Sequence, residues 1–229
     1  MGVPGRPVLR PAWAVALLAG SLLSVAAAAA DDLIDLKAQY RRPNEIPFPA
    51  DNPYSDAKAA LGHVLFFDPR LSGSNTASCA SCHNPALGWE DGLPVATGDG
   101  AKSLERASPT ILNLAWAEPL MWDGRKDTLE EQAIGPIEAA GEMNQPIASL
   151  VAELSDIPAY RRLFREAFGS ETISGAAIAR ALATFERTIV SNKAPFDRWI
   201  EGDDDAIPEE AKQGFQLFNG KANCAACHS

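Results

Sequence analysis

Two copies of one five-residue pattern, Cys79-Ala80-Ser81-Cys82-His83 and Cys224-Ala225-Ala226-Cys227-His228, use all four cysteines of the chain and two of its three histidines. Thiols separated by two residues lie along one edge of a helical turn, where both can add across the vinyl groups of one porphyrin. The histidine that follows then supplies an axial nitrogen to the iron. Two Cys-x-x-Cys pairs alone would equally suit a zinc site, and an even cysteine count in an exported chain would suit disulfides. A redox-active dithiol expects a strand–helix setting that is missing around Cys79. The histidine closing each motif favours c-type haem, attached covalently at Cys79, Cys82 and His83 and again at Cys224, Cys227 and His228.

The start of the chain supports that chemistry. Arg6 and Arg10 precede an apolar stretch from Ala12 to Ala30, which ends on Ala28-Ala29-Ala30 before Asp31-Asp32. A basic start, an apolar middle and a small-residue exit are the marks of a secretory leader over residues 1–30, cleaved near Ala30. An uncleaved anchor is the rival, but alanine and serine make the second half weakly hydrophobic for a lipid-facing span. Periplasmic localisation is therefore expected, with no membrane association beyond the leader. The formal net charge of −10 becomes more negative once the leader's two arginines are removed. That balance excludes a nucleic-acid binder, which needs basic patches, and suits a basic docking partner.

Helical signals dominate the remainder, and no convincing run of alternating strand residues occurs. Residues 31–53, rich in proline and charge, read as an extended arm. Ser55 can cap a helix through Ala57, Leu61, Val64 and Leu65 that stops before Asp68-Pro69. Residues 71–109 carry Gly, Ser, Asn and Pro with little periodicity, a loop length tolerated mainly where it serves a function. Thr128 with Glu131 resembles a capping box. Ile147, Leu150, Val151 and Leu154 fall at helical spacing, as do Tyr160, Leu163, Phe164 and Phe168, and then Ile178, Leu182, Phe185 and Ile189 after Ser174. The acidic stretch 201–208 reads as a boundary, and 209–219 as a short helix. The expected fold is mainly α, c-type cytochrome domains with long loops around covalently bound haem. The expected domains are residues 31–201 and the start of a second haem domain at 202–229, continuing past Ser229.

Several segments together resemble the bacterial di-haem cytochrome c peroxidases, a family that includes MauG-type enzymes. They are Leu65-Phe66-Phe67-Asp68-Pro69-Arg70-Leu71-Ser72, the first haem motif, Ser108-Pro109-Thr110, Trp122-Asp123-Gly124-Arg125, Glu130-Glu131-Gln132-Ala133 and Gly141-Glu142-Met143. The resemblance covers about residues 50–229. It implies two covalently bound c-type haems with divided labour. Hydrogen peroxide would be split at the haem on His83, and the haem on His228 would accept electrons from a small donor, a cytochrome c or a cupredoxin. It also implies three catalytic-pocket residues: Glu142 as acid/base, Gln132 as an amide orienting peroxide or water, and Trp122 as an electron relay between haems. Without the resemblance these would read as a loop acid, a surface amide and a core aromatic. His63 reads as structural or solvent-facing, Met121 and Met143 as gap fillers, and Asp123 and Arg125 as turn-fixing. A homodimer is compatible with the resemblance.

Two departures from the family pattern matter. Where many members carry a distal histidine in Gly-His-Gly, the chain has Gly98-Asp99-Gly100, and where the family's calcium site has Asn, it has Ala107. The His83 haem is therefore expected to have an open or water-bound sixth position, with Asp99 at most a weak ligand, and the calcium site loses a ligand. Peroxide reduction to water is the leading expectation. The alternatives are MauG-like oxidation of a protein substrate and a non-catalytic di-haem electron carrier.

Overall fold

Residues 33–228 are described by the computed structural model, so the leader expected at 1–30 lies outside the described residues. The chain divides into two units, Asn44–Asn192 and the described parts of Met1–Pro43 and Lys193–Ser229.

In the unit Asn44–Asn192, Ser55 Oγ accepts the Lys58 amide at 3.2 Å and opens α1, Asp56–Phe66. Thr128 Oγ1 accepts the Glu131 amide at 3.2 Å at the start of α2, Leu129–Glu138, so the expected cap is present. The next helices are α3, Ile147–Ser155, and α4, Pro158–Phe168, which ends at Gly169 in the left-handed conformation with φ 75°. Ser174 caps α5, Gly175–Arg187. Most of the apolar positions read from the sequence turn inward, with Val64 on α1 left exposed. Leu61, Leu65, Phe66, Leu150, Leu154, Phe164, Ile178 and Leu182 form one buried core. Among the described residues there is no β-strand, and three isolated bridges pin the loops instead. The chain is mainly α, as the sequence predicts.

At the α1–α5 crossing the backbones nearly touch. A Cβ placed on Gly62 would lie 2.0 Å from the Ala181 carbonyl oxygen, so only glycine allows this approach. Gly62→Ala should destabilise the chain by at least the roughly 1–3 kcal/mol typical of overpacking. Gly135→Ala on α2, with nothing near its added Cβ, should be neutral or stabilising. Thermal unfolding of both variants checks this; equal midpoints would contradict it.

The segment leading into α1 is held by a buried polar network. Arg187 donates to both Glu130 oxygens at 2.6 and 2.9 Å, and Asn52 Nδ2 donates to Glu130 Oε1 at 2.7 Å. Lys58 Nζ donates to Asn52 Oδ1 at 2.9 Å. Burial alone would raise the Glu130 carboxyl, but the Arg187 and Asn52 bonds overcome it and hold the group below its ordinary value.

The other unit has α6, Pro195–Ile200, and α7, Glu209–Asn219. Residues 33–38, expected as part of an extended arm, are helical. The reason is local burial: Leu33, Leu36 and Tyr40 pack on Trp199, Ile200 and Phe215, with the Tyr40 and Phe215 rings 5.0 Å apart. Because Trp199 and Ile200 join that cluster, α6 sits with the C-terminal segment, and the compact units divide at 192/193. No helix among the described residues is long and apolar enough to cross a membrane.

Candidate functional site

The first motif folds as the chemistry requires. Cys79–Cys82 is a single helical turn, preceded by Ser78, whose amide donates to Ser81 Oγ at 3.0 Å. The turn closes when the His83 amide donates to the Cys79 carbonyl at 2.9 Å. His83 Nδ1 lies 3.2 Å from the Trp89 carbonyl oxygen. With Nδ1–H donating there, Nε2 is the nitrogen able to offer a lone pair to a metal. Burial lowers the His83 pKa, keeping the ring neutral, and burial pushes both the Cys79 and Cys82 thiols up. Both cysteines are free thiols.

These three residues face a cavity of about 650 Å³. Its walls are mostly apolar, from Phe66, Ile111, Leu114, Leu120 and Leu182, with a few polar groups at fixed places. Two thiols at the attachment spacing, a neutral histidine and an apolar cavity beside them form a donor set and a space that fit covalently bound haem.

Glu142, Gln132 and Trp122, separated in sequence, all line this cavity. Burial raises the Glu142 carboxyl above its ordinary value, and Arg125, another lining residue, pulls it partly back. Gln132 Nε2 donates to Met121 Sδ at 3.6 Å, so Met121 is a cavity residue with a polar partner, not a gap filler. Met143 is buried in the core and also touches the cavity. Trp122 is 64% exposed despite lining the cavity, and its Nε1–H donates to the Ala107 carbonyl at 3.0 Å. Asp123 and Arg125 fix the turn as read, with bonds of 2.7 and 2.8 Å. His63 faces solvent beside the Phe67 and Phe185 rings.

The Glu142 loop is clamped by backbone. The Asp99 amide donates to the Glu142 carbonyl at 2.5 Å, and the Gly73 amide donates to Met143 at 2.8 Å. Lys102 Nζ reaches the Ala140 carbonyl at 3.0 Å. A Cβ on Gly98 would sit 1.9 Å from the Gly141 oxygen and 2.9 Å from that of Glu142. Asp99 is buried and takes a hydrogen bond from Ser74 Oγ; it is not among the cavity-lining residues. The weak-ligand expectation for Asp99 is therefore corrected: its carboxylate is committed to Ser74, away from the cavity. The segment 71–109 is not structureless either. Buried Ser72 Oγ accepts the amides of Thr76 and Ala77 at 3.1 and 3.0 Å, and Ala96 pairs with Leu104 and Arg106.

One buried carboxyl on the cavity wall escaped the sequence reading. Glu186, on α5 between Phe185 and Arg187, is buried against the cavity. Its place one turn after Leu182, at the edge of the buried stripe of α5, was the signal of burial the sequence offered.

The second motif belongs to the other unit. Cys224–Ala226 is a short turn in which the His228 amide donates to the Cys224 carbonyl at 3.0 Å, repeating the closure of the first motif. Cys227 and His228 are exposed.

Residues 56–205 match the profile of the family described as "Di-haem cytochrome c peroxidase". The chain is 54% identical over 219 residues to a methylamine utilization protein MauG of Methylorubrum extorquens, covering 95% of this chain and 62% of that protein. It is 43% identical over 186 residues to a cytochrome-c peroxidase of a Pseudomonas species, covering 80% of this chain and 49% of the relative. A crystal structure of a MauG-like protein associated with microbial copper homeostasis superposes with TM-score 0.74 at 36% identity, over 82% of this chain and 57% of that one. The chain thus spans about half to two thirds of the length of these relatives. The paired motifs, the helical frame and the match across most of the chain place it in the di-haem cytochrome c peroxidase family.

Proposed function

We propose that the cavity holds haem covalently through Cys79 and Cys82, with His83 as axial ligand, and cleaves hydrogen peroxide there. Bound haem would supply a redox-active iron. The observation that carries this reading is Glu142, a carboxyl on the cavity wall whose proton affinity is raised by burial. Ionised, it takes a proton from peroxide; protonated, it returns that proton to the departing oxygen. Gln132 orients peroxide or water beside it, its amide held by Met121 Sδ. Trp122, anchored on the Ala107 carbonyl, serves as an electron relay. Cys224, Cys227 and His228 would hold a second c-type haem, which would supply the redox centre for electrons from a small periplasmic cytochrome c or cupredoxin. Export through the leader, cleaved near Ala30, places the protein in the periplasm.

MauG-like oxidation of a protein partner is the second reading. It is favoured by the 54% identity to a MauG protein and by Asp99 turning away from the cavity. A peroxide assay of the full-length, haem-loaded protein separates the two. Rapid turnover with a reduced cytochrome c or cupredoxin supports the peroxidase. An oxidised species that persists after peroxide is added without a donor supports the MauG-like reading. Neither turnover nor such a species would leave an electron carrier. With no histidine at position 99, a haem held by His83 would have an open or water-bound sixth position, and the oxidised protein should show a high-spin haem signal by electron paramagnetic resonance. Low-spin signals from both haems would rule that out.

A further inference from the structure

Glu186 has no part in the scheme above, yet it is a buried carboxyl on the cavity wall with an unpartnered oxygen. It is 7% exposed, it lines the same cavity as Cys79 and His83, and its Oε2 has no hydrogen-bond partner among the described residues. Its charge is felt at Cys79, whose thiol is raised by burial first and by Glu186 next. The charged groups around it are committed elsewhere. Arg187, the next residue on α5, donates from Nη1 and Nη2 to the two carboxylate oxygens of Glu130 on α2. Lys58 of α1 is bound to Asn52 and the Pro53 carbonyl, and His63 of α1 faces solvent. Across the cavity, Arg125 is paired with Asp123.

A buried carboxylate without a partner is costly, so such a group holds its proton. Burial pushes Glu186 up to about 8, with Arg187 lowering it and Glu130 raising it further. A carboxyl in that condition responds to any nearby change of charge, and in a low-dielectric cavity the response is strong. The group that changes charge here is the haem.

We propose that Glu186 is a redox-linked proton site of the haem carried by His83, taking up a proton when the iron gains an electron and releasing it when the iron loses one. The electron comes from the donor and the proton from solvent, forming the O–H bond on the Glu186 carboxylate; oxidation reverses both transfers. The ionised carboxylate thereby offsets the added positive charge of the oxidised centre. This inference rests on the haem reading of the cavity but not on peroxide chemistry.

The test is a potentiometric titration of the full-length, haem-loaded protein at several pH values, without peroxide. In the wild type the potential of the His83 haem should fall as pH rises, approaching the one-electron limit of about 59 mV per tenfold change in proton concentration. Glu186→Gln should flatten that slope and raise the potential at alkaline pH, while Glu186→Asp should restore a slope. Equal slopes in wild type and Glu186→Gln would overturn the proposal, as would a wild-type potential independent of pH. If the variants do not load haem, reduced-minus-oxidised infrared spectra of wild type labelled with 13C-glutamate decide. A protonated carboxyl band that appears on reduction and shifts with the label supports the site, and its absence overturns it. Absence of haem absorbance in the wild type would instead sink the haem reading itself.

Discussion

Glu142→Gln should slow peroxide cleavage by roughly two to four orders of magnitude, the usual worth of a positioned acid/base group. Glutamine keeps the size of the side chain and loses the proton exchange, and Glu142 touches its neighbours chiefly through backbone bonds. Stability and haem content should therefore hold while turnover drops. The pH profile gives a second reading. As a base the group must be ionised, so activity is lost as pH falls through its pKa. Burial raises that value, which puts the acid limb above the ordinary carboxylate range. Because Arg125 pulls it back down, Arg125→Ala should move the limb to still higher pH. Steady-state rates across the acid range check both points. Unchanged turnover in Glu142→Gln would remove the assignment.

Gly98→Ala should have a comparable effect on rate without touching a polar side chain. The backbone at residue 98 has φ −92°, so alanine meets no conformational penalty there. The obstacle is the Gly141 oxygen, 1.9 Å from the new Cβ. Main chain cannot yield as a flexible side chain does, so the two loops must separate and carry Glu142 with them. A displacement of about 1 Å at a reacting group can cost about a hundredfold in rate. Hydrogen exchange at the Glu142 loop, measured with turnover, distinguishes this from global unfolding. Protection retained in the loop alongside wild-type rates would show that the clamp does not position the acid.

The helices were legible because each carries its own periodicity and a stop or start signal: Ser55, Thr128, Ser174 and Gly169 sit at observed ends. Residues 33–38 were not, since two leucines and a tyrosine in a charged stretch acquire meaning only when Trp199 and Phe215 lie beside them. In the cavity, Cys79, Cys82 and His83 were named from their spacing and Glu142, Gln132 and Trp122 through resemblance, and all of them line its wall. What stayed hidden depends on distant parts of the chain meeting. Asp99 could be read as a ligand candidate until its bond to Ser74 showed it turned away. Glu186 lies one turn after Leu182 on α5, but a glutamate at the edge of an apolar stripe reads as a solvated flank until the cavity beside it is seen.

The clamp on the Glu142 loop is built from peptide groups. The Asp99 amide and the Gly73 amide donate to carbonyls, and the fit at Gly98 is set by a missing side chain. Hydrogen bonds of this kind are available to every residue except proline. Position 99 can therefore exchange its side chain and still hold the loop, whereas position 98 is tied to glycine by the close approach. A lineage is free to gain or lose a side-chain function at 99 without rebuilding the acid/base loop it supports, so the chemistry at this haem can drift while its geometry is inherited.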